Sequence, residues 1–161
     1  SMPKEYIAAA EQGMKEAFEA GVLAGYPVTD IKVILVDESH DGVESSETAF
    51  GIAVSEAMRT ALMQASPAIL EPVMKVQVKA HEDFMGDVLN DLKSRGSEIT
   101  DIRSYYGVTN LTVRVPLSNM LGYATYLRSE IPAKAVYSME FSSYDEVPRA
   151  VADAIIAKQN T

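Results

Sequence analysis

The sequence predicts an α+β protein built from two small domains that meet at a proline-containing hinge. Residues before the hinge are rich in Ala and Met and have helical periodicity, whereas strands and helices follow each other at regular spacing after it. The hinge, residues 70–76 (LEPVMKV), carries Pro72 and continues directly into an alternating strand. We therefore place the domain boundary close to residue 69.

Composition limits the class of protein. The chain has 161 residues, enough for one domain or two small ones. It has no cysteine and no apolar run near the ~18 residues of a membrane span, so we expect a cytoplasmic protein with no membrane partner. The net charge of −9 argues against nonspecific nucleic-acid binding. Ser1 and Met2 look like a scar of tag cleavage, and we expect a piece excised from a longer protein.

The first domain is predicted to contain two helices and one strand. Apolar residues recur at helical spacing over about 4–20, and Gly21 is placed to end that helix: Ile7, Ala10, Met14, Ala17 and Phe18 carry the pattern. The apolar run 31–36 predicts a strand buried on both faces. A polar loop follows, and Ser45 or Ser46 then caps a second helix that ends at Ser66-Pro67. A single strand cannot close a sheet, so this domain looks truncated at its N-terminus.

The second domain is predicted to follow the order βαββαβ. Alternation indicates strands around 74–78, 97–105, 111–115 and 135–141, and helical spacing indicates a helix over 84–92. A second helix, from Met120 to Ile131, is predicted to be capped by Asn119. This order over 72–143 is that of a ferredoxin-like sandwich, an antiparallel sheet with two helices on one face. Pro148 suits the first position of a closing helix.

The sequence contains few candidate catalytic or ligand-binding residues. His40 lies among carboxylates, so a metal site or an acid–base pair is conceivable there, although a solvated loop that caps a helix explains it as well. His81 fits a turn residue, and no phosphate loop or catalytic signature occurs. Five cations of the second domain either share a basic face or are dispersed surface charge: Lys93, Arg95, Arg103, Arg114 and Arg128. The residues therefore favour an interaction module over an enzyme.

Several runs of the sequence resemble the C-terminal third of bacterial translation elongation factor G. They occur in order and at the spacing of that family over nearly the whole chain: 21–28 (GVLAGYPV), 43–50 (VESSETAF), 70–76 (LEPVMKV), 86–88 (GDV), 115–125 (VPLSNMLGYAT), 127–129 (LRS) and 137–141 (YSMEF). The resemblance implies the C-terminal half of an α/β domain IV over 3–68, to which a closing helix over 147–158 belongs. It also implies a ferredoxin-like domain V over 69–146.

The resemblance also implies partners. Domain IV of the family reaches the ribosomal decoding centre, which would place Ser39, His40, Asp41 and Gly42 at a tip beside the tRNA–mRNA. Domain V faces the factor-binding rRNA of the large subunit, with Lys93, Arg95 and Arg128 as possible contacts. The parent would be a monomeric, ribosome-dependent GTPase with an upstream GTPase domain that binds GTP and magnesium. No cofactor is expected in this fragment itself.

Two positions depart from the family pattern. The tip loop of the family typically reads Gly-Ser-Tyr-His, and Asp41 takes the place of its His, so that residues 37–47 carry five carboxylates and no Lys or Arg. Ala133-Lys134 replaces a Gly-Arg before the last strand. Like charges repel phosphate at close approach, so a diverged paralogue in ribosome recycling or rescue is one alternative. A stand-alone ligand-binding module is the other, since ferredoxin-like sandwiches host many ligands.

Overall fold

The computed structural model describes residues 2–36, 46–131 and 135–159. The helices are α1 (Lys4–Ala20), α2 (Glu47–Gln64), α3 (Glu82–Ser94), α4 (Tyr123–Glu130) and α5 (Arg149–Gln159), with a short 3₁₀ helix at Leu117–Met120. The strands are β1 (Leu70–His81), β2 (Glu98–Tyr105), β3 (Val108–Pro116) and β4 (Val136–Glu146). The chain forms two compact units, of which one comprises Ser1–Ile69 with Pro148–Thr161 and the other Leu70–Val147.

The first unit is organised by the packing of α1 against α2. Ala10, Gly13 and Ala17 are buried along α1, and a Cβ atom added at Gly13 would clash with the carbonyl oxygen of Gly51 in α2. The two helix backbones therefore approach closely, as glycine at a crossing permits. The sequence pattern placed Ile7 on this buried face, but Ile7 is exposed. Tyr6 packs edge-on against Phe50 instead, with 5.2 Å between the ring centroids.

Both ends of the loop between α1 and α2 have the local structure that the sequence indicates. Gly21 adopts a φ of 65° and its N–H donates to the carbonyl of Ala17, which ends α1. Ser46 precedes α2, and its side chain accepts a hydrogen bond from the N–H of Ala49. Of the two serines considered as caps, Ser46 is thus the one that caps the helix.

The predicted strand over 31–36 is wrong. These residues belong to no helix or strand, and all six are exposed. A β-strand requires a hydrogen-bonded neighbour, and the described residues of this unit offer none to the segment. The apolar run therefore remains uncovered in this structure, although its composition is that of a buried strand.

The second unit is a four-stranded antiparallel sheet with the order β2-β3-β1-β4 and helices on one face. The order of elements, βαββαβ, is the predicted ferredoxin-like arrangement. The core lies between one sheet face and the helices. It contains Val76, Val78, Leu111, Val113, Val115, Val88, Leu92, Tyr123 and Leu127. The predicted α+β class is confirmed.

The fourth helix begins later than its predicted cap. Asn119 lies inside the 3₁₀ helix, and α4 starts after Gly122, which is in the left-handed conformation with a φ of 76°. Asn119 is occupied elsewhere, because its side-chain amide donates to the carbonyl of Arg95 at 2.9 Å. The last strand also extends to Glu146, beyond its predicted end at 141, with a register irregularity opposite Val73 and Met74.

Candidate functional site

The tip residues Ser39, His40, Asp41 and Gly42 lie outside the described residues. The described chain fixes only the flanks of that loop, namely residues 31–36 before it and the Ser46 cap after it. Contact of these four residues with a ribosomal partner, like a metal or acid–base role of His40, therefore stays a prediction.

The side chain of Arg95 forms hydrogen bonds with other residues of the second unit. Its Nε donates to the carboxylate of Asp91 at 2.7 Å, and its Nη1 donates to the carbonyl oxygens of Asn119 and Leu121 at 2.9 and 3.0 Å. Its guanidinium also lies 5.3 Å from the ring centroid of Tyr123. The side chain is only 17 % exposed. This geometry gives Arg95 a structural role, which is to hold the segment between β3 and α4 against the end of α3.

Tyr123, beneath Arg95, is buried, and its hydroxyl has no hydrogen-bond partner in the described part of the chain. Burial raises the pKa of Tyr123 well above its usual range, and the carboxylate of Asp91 raises that pKa further. The hydroxyl therefore stays neutral at physiological pH, and we assign no chemistry to it.

Lys93 and Arg128 are exposed residues in the last turns of two different helices. Lys93 is in α3 and Arg128 is in α4. Arg128 donates from Nε to the carbonyl of Ala124 in its own helix at 3.2 Å. Both positions suit a cation near a helix C-terminus. Contact of Lys93 and Arg128 with rRNA stays a prediction.

The five cations considered together in the sequence lie on two sides of the sheet. Arg103 and Arg114 point to the face away from the helices. Lys93 and Arg128 belong to the helices that cover the other face, and Arg95 directly follows α3. Arg114 is paired with Asp145 at 2.8 Å and with Glu98 at 3.6 Å. Hydrogen bonds from Ser143 and Arg114 hold the pKa of Asp145 below its usual value. A single basic face is therefore absent from this arrangement.

His81 has a local structural role. It ends β1 and precedes α3, where its Nδ1 accepts a hydrogen bond from the N–H of Asp83 at 3.4 Å. The carboxylate of Asp83 lies 3.0 Å from the same nitrogen. Within the described ranges, no group of His, Asp and Glu could hold a metal ion, and no helix is long and apolar enough to cross a membrane.

The exposed turn between β2 and β3 was not predicted from the sequence. Tyr106 and Gly107 form a two-residue turn between β2 and β3 with φ values of 49° and 77°, which is the pattern of a type I′ hairpin. Tyr105 and Tyr106 are exposed there, and Tyr106 completely so. A left-handed conformation costs a bulky residue roughly 1–2 kcal/mol. The signal in the sequence was the pair Tyr-Tyr before a glycine, between two alternating runs.

Comparison with known proteins identifies the family. Residues 1–66 match the model of elongation factor G, domain IV, and residues 68–155 match that of the elongation factor G C-terminus. The chain belongs to the elongation factor G family. The resemblance inferred from the sequence motifs is thereby confirmed, including the order of the two regions along the chain.

A solved structure has a similar fold and a related sequence. The chain is similar to a protein from Thermus thermophilus whose crystal structure matches with a TM-score of 0.87 and 36 % sequence identity. The match covers 99 % of this chain and 24 % of the other. The chain therefore spans about a quarter of the length of that protein.

Proposed function

We propose that this chain is the ribosome-interacting C-terminal region of an elongation factor G-type GTPase that promotes tRNA–mRNA translocation. The observation that carries the proposal is the uninterrupted succession of the two elongation factor G regions over residues 1–66 and 68–155. The two compact units support it, since their boundary falls between Ile69 and Leu70, close to the boundary of the matched regions. We take these units to be the domain IV-like and domain V-like parts.

The fragment acts by binding. GTP hydrolysis, with its magnesium ion, belongs to a domain upstream in the parent protein, which works as a monomer in the cytoplasm. The tip residues Ser39, His40, Asp41 and Gly42 approach the decoding centre, and the domain V-like part approaches the large-subunit rRNA. Lys93 and Arg128 are free to reach a phosphate because their side chains are exposed. Arg95 contributes indirectly by holding the segment that ends at Leu121.

The test combines binding and turnover. We expect the 161-residue chain to sediment with 70S ribosomes, and we expect ribosomes to stimulate GTP hydrolysis by the full-length parent. An excess of the isolated chain should reduce that stimulation by competing for the same surface. Absence of both sedimentation and stimulation would show that the fold is kept while the function of the family is not.

A second candidate within the family is a role in ribosome recycling or rescue. The acidic tip favours it, because residues 37–47 hold five carboxylates and no Lys or Arg where the partner is phosphate. Assays of translocation and of subunit splitting, run with the same parent protein, separate the two roles. Splitting without translocation would favour recycling, and the reverse would favour the main proposal.

A further inference from the structure

Both covalent connections between the two units leave from one pair of strands. The second unit comprises Leu70–Val147, so the chain enters it at the start of β1 and leaves it just after the end of β4. The register pairs the first residue of β1 with the last residue of β4. Because β3 pairs with β1 from Val73 onward, residues 70–72 and 144–146 pair only with each other in the described sheet. We call these two short segments the ribbon.

The chemistry of the ribbon makes it the weakest part of the β1–β4 pairing. A pair of strands without a third neighbour is only marginally stable in water. Pro72 has no N–H to donate to β4. The register also shifts between Val73 and Met74, where Ser142 of β4 is the extra residue, and such a bulge interrupts the ladder of hydrogen bonds. We therefore expect the ribbon to open more readily than the rest of the sheet unless side chains stabilise it.

Arg114 of β3 contacts the end of β4 through its guanidinium. Its Nη2 donates to the hydroxyl of Ser143 and to the carboxylate of Asp145, both at 2.8 Å. The hydroxyl of Ser143 donates to the other oxygen of Asp145 at 2.8 Å. The Nη1 atom of Arg114 lies 3.6 Å from the carboxylate of Glu98 in β2. One guanidinium therefore spans β1 and joins the two edge strands, and we call these four side chains the Arg114 network.

A neighbouring ion pair on the same face differs from this network. Lys75 of β1 lies opposite Arg114 and pairs with Glu140 of β4 at 2.9 Å, and this pair is separated from the ribbon by the register shift. Arg114 bonds instead to the part of β4 beyond the shift. A guanidinium suits this position because its planar fork presents nitrogens in two directions, whereas an ammonium has one nitrogen. Hydrogen bonds between charged groups are also stronger than neutral ones.

We propose that the Arg114 network keeps the ribbon closed and thereby limits bending where the two units are connected. Opening of the ribbon lengthens both connections at once, because both leave from it. The effect is local, since exposed ion pairs contribute little to global stability whereas a short pair of strands can open while the rest of the sheet stays intact. The inference concerns the chain alone and does not rest on the proposed function.

Hydrogen exchange followed by mass spectrometry in the 161-residue chain tests the closure of the ribbon. Arg114→Met should accelerate exchange in residues 70–73 and 143–146 about 5- to 30-fold, because the charged hydrogen bonds between β3 and β4 are lost. Arg114→Lys should accelerate it as well, because one ammonium cannot face Glu98 and Asp145 together. Addition of Arg114→Met to Asp145→Ala should cause little further change, since the two residues act through one network.

The matched control for these exchange measurements is Lys75→Met. It breaks the pair with Glu140 on the same face, but it leaves the Arg114 network in place. Exchange in the ribbon should therefore stay within about twofold of the wild type. Equal acceleration in the Arg114 and Lys75 variants, or unchanged exchange in both Arg114 variants, would overturn the inference.

Distances between spin labels test the effect on the connection. The chain has no cysteine, so Arg59→Cys in α2 and Asn90→Cys in α3 place one label in each unit. Double electron–electron resonance should give a wider distribution of distances for Arg114→Met than for the wild type, and an unchanged distribution for Lys75→Met. An unchanged width for Arg114→Met would overturn the inference even if exchange in the ribbon is faster. Neither readout involves a ribosome, so failure of the proposed function leaves the result intact.

Discussion

At the scale of single residues, two helical glycines have opposite roles. Gly13 in α1 faces the backbone of α2, where an added Cβ atom would clash with the carbonyl of Gly51. Gly86 in α3 is exposed, and an added Cβ atom would meet no atom within 4 Å. Glycine lowers helix stability by roughly 1 kcal/mol relative to alanine. Gly13 therefore brings a packing advantage that offsets this penalty, whereas Gly86 brings none in the described structure.

We predict that substitution by alanine has opposite effects on stability at Gly13 and Gly86. Gly86→Ala should raise the free energy of unfolding by roughly 0.5–1 kcal/mol, because it removes backbone entropy from the unfolded chain. Gly13→Ala should lower it by about 1–3 kcal/mol, because the clash is with backbone that cannot rotate away. Urea unfolding followed by circular dichroism measures both. A neutral Gly13→Ala would show that the two helices separate at little cost.

At the scale of elements, the link between α3 and the segment before α4 depends on a reciprocal clamp. Arg95 donates to the carbonyls of Asn119 and Leu121, and the amide of Asn119 donates back to the carbonyl of Arg95. Asp91, only 13 % exposed, neutralises the guanidinium. The clamp fixes the 3₁₀ helix and leaves Leu121 exposed at the end of the segment. Two elements distant in sequence are thus joined by one side chain.

Replacement of Arg95 tests this clamp. Arg95→Met should lower the free energy of unfolding by roughly 2–4 kcal/mol, since it leaves a largely buried carboxylate and two carbonyls without their donor. It should also accelerate amide hydrogen exchange in residues 117–122. Lys93→Met, a change of the same charge at an exposed neighbour, should stay within about 0.5 kcal/mol of the wild type. Similar losses in both variants would contradict a specific role for Arg95.

At the scale of the whole molecule, the most unusual surface is the apolar run over 31–36. Ile34 and Val36 are 68 % and 66 % exposed, and Ile31, Val33 and Leu35 are exposed with them. Scattered exposed apolar residues are normal, but a contiguous run with high β-propensity is an association hazard. The isolated chain should therefore self-associate weakly at high concentration, although the parent is expected to be a monomer.

Substitution within the run tests this expectation. Ile34→Thr combined with Val36→Lys should reduce concentration-dependent association in sedimentation velocity and leave the helical circular dichroism signal unchanged, because neither side chain is in the core. Leu121→Thr, which removes an exposed leucine of the other unit, serves as the control. Equal association of wild type and the double variant would show that the run does not mediate it.

The predictable part of the fold is the part that local chemistry encodes. The α1 span, the Ser46 cap and the alternation in β1 and β3 follow from the period of apolar residues and from capping residues. The start of α4 was misplaced because Asn119 satisfies a cap pattern locally while its side chain is engaged with Arg95, 24 residues earlier in the chain. The structural role of Arg95 could not be predicted either, because a charged residue that follows a helix has the sequence pattern of an ordinary surface residue.

By itself, the sequence determined the class of fold, the order of the elements in the second unit and the resemblance to elongation factor G. Each of these depends on residue type and spacing along the chain, which are read directly. Pro72, predicted to be part of a hinge, lies instead in β1, where it is paired with Tyr144 of β4. Only the tertiary structure decided which cations share a face, which glycine lies at a helix crossing and whether residues 31–36 have a partner strand. Those outcomes depend on contacts between residues far apart in sequence, and local patterns carry no information about the partner that supplies them.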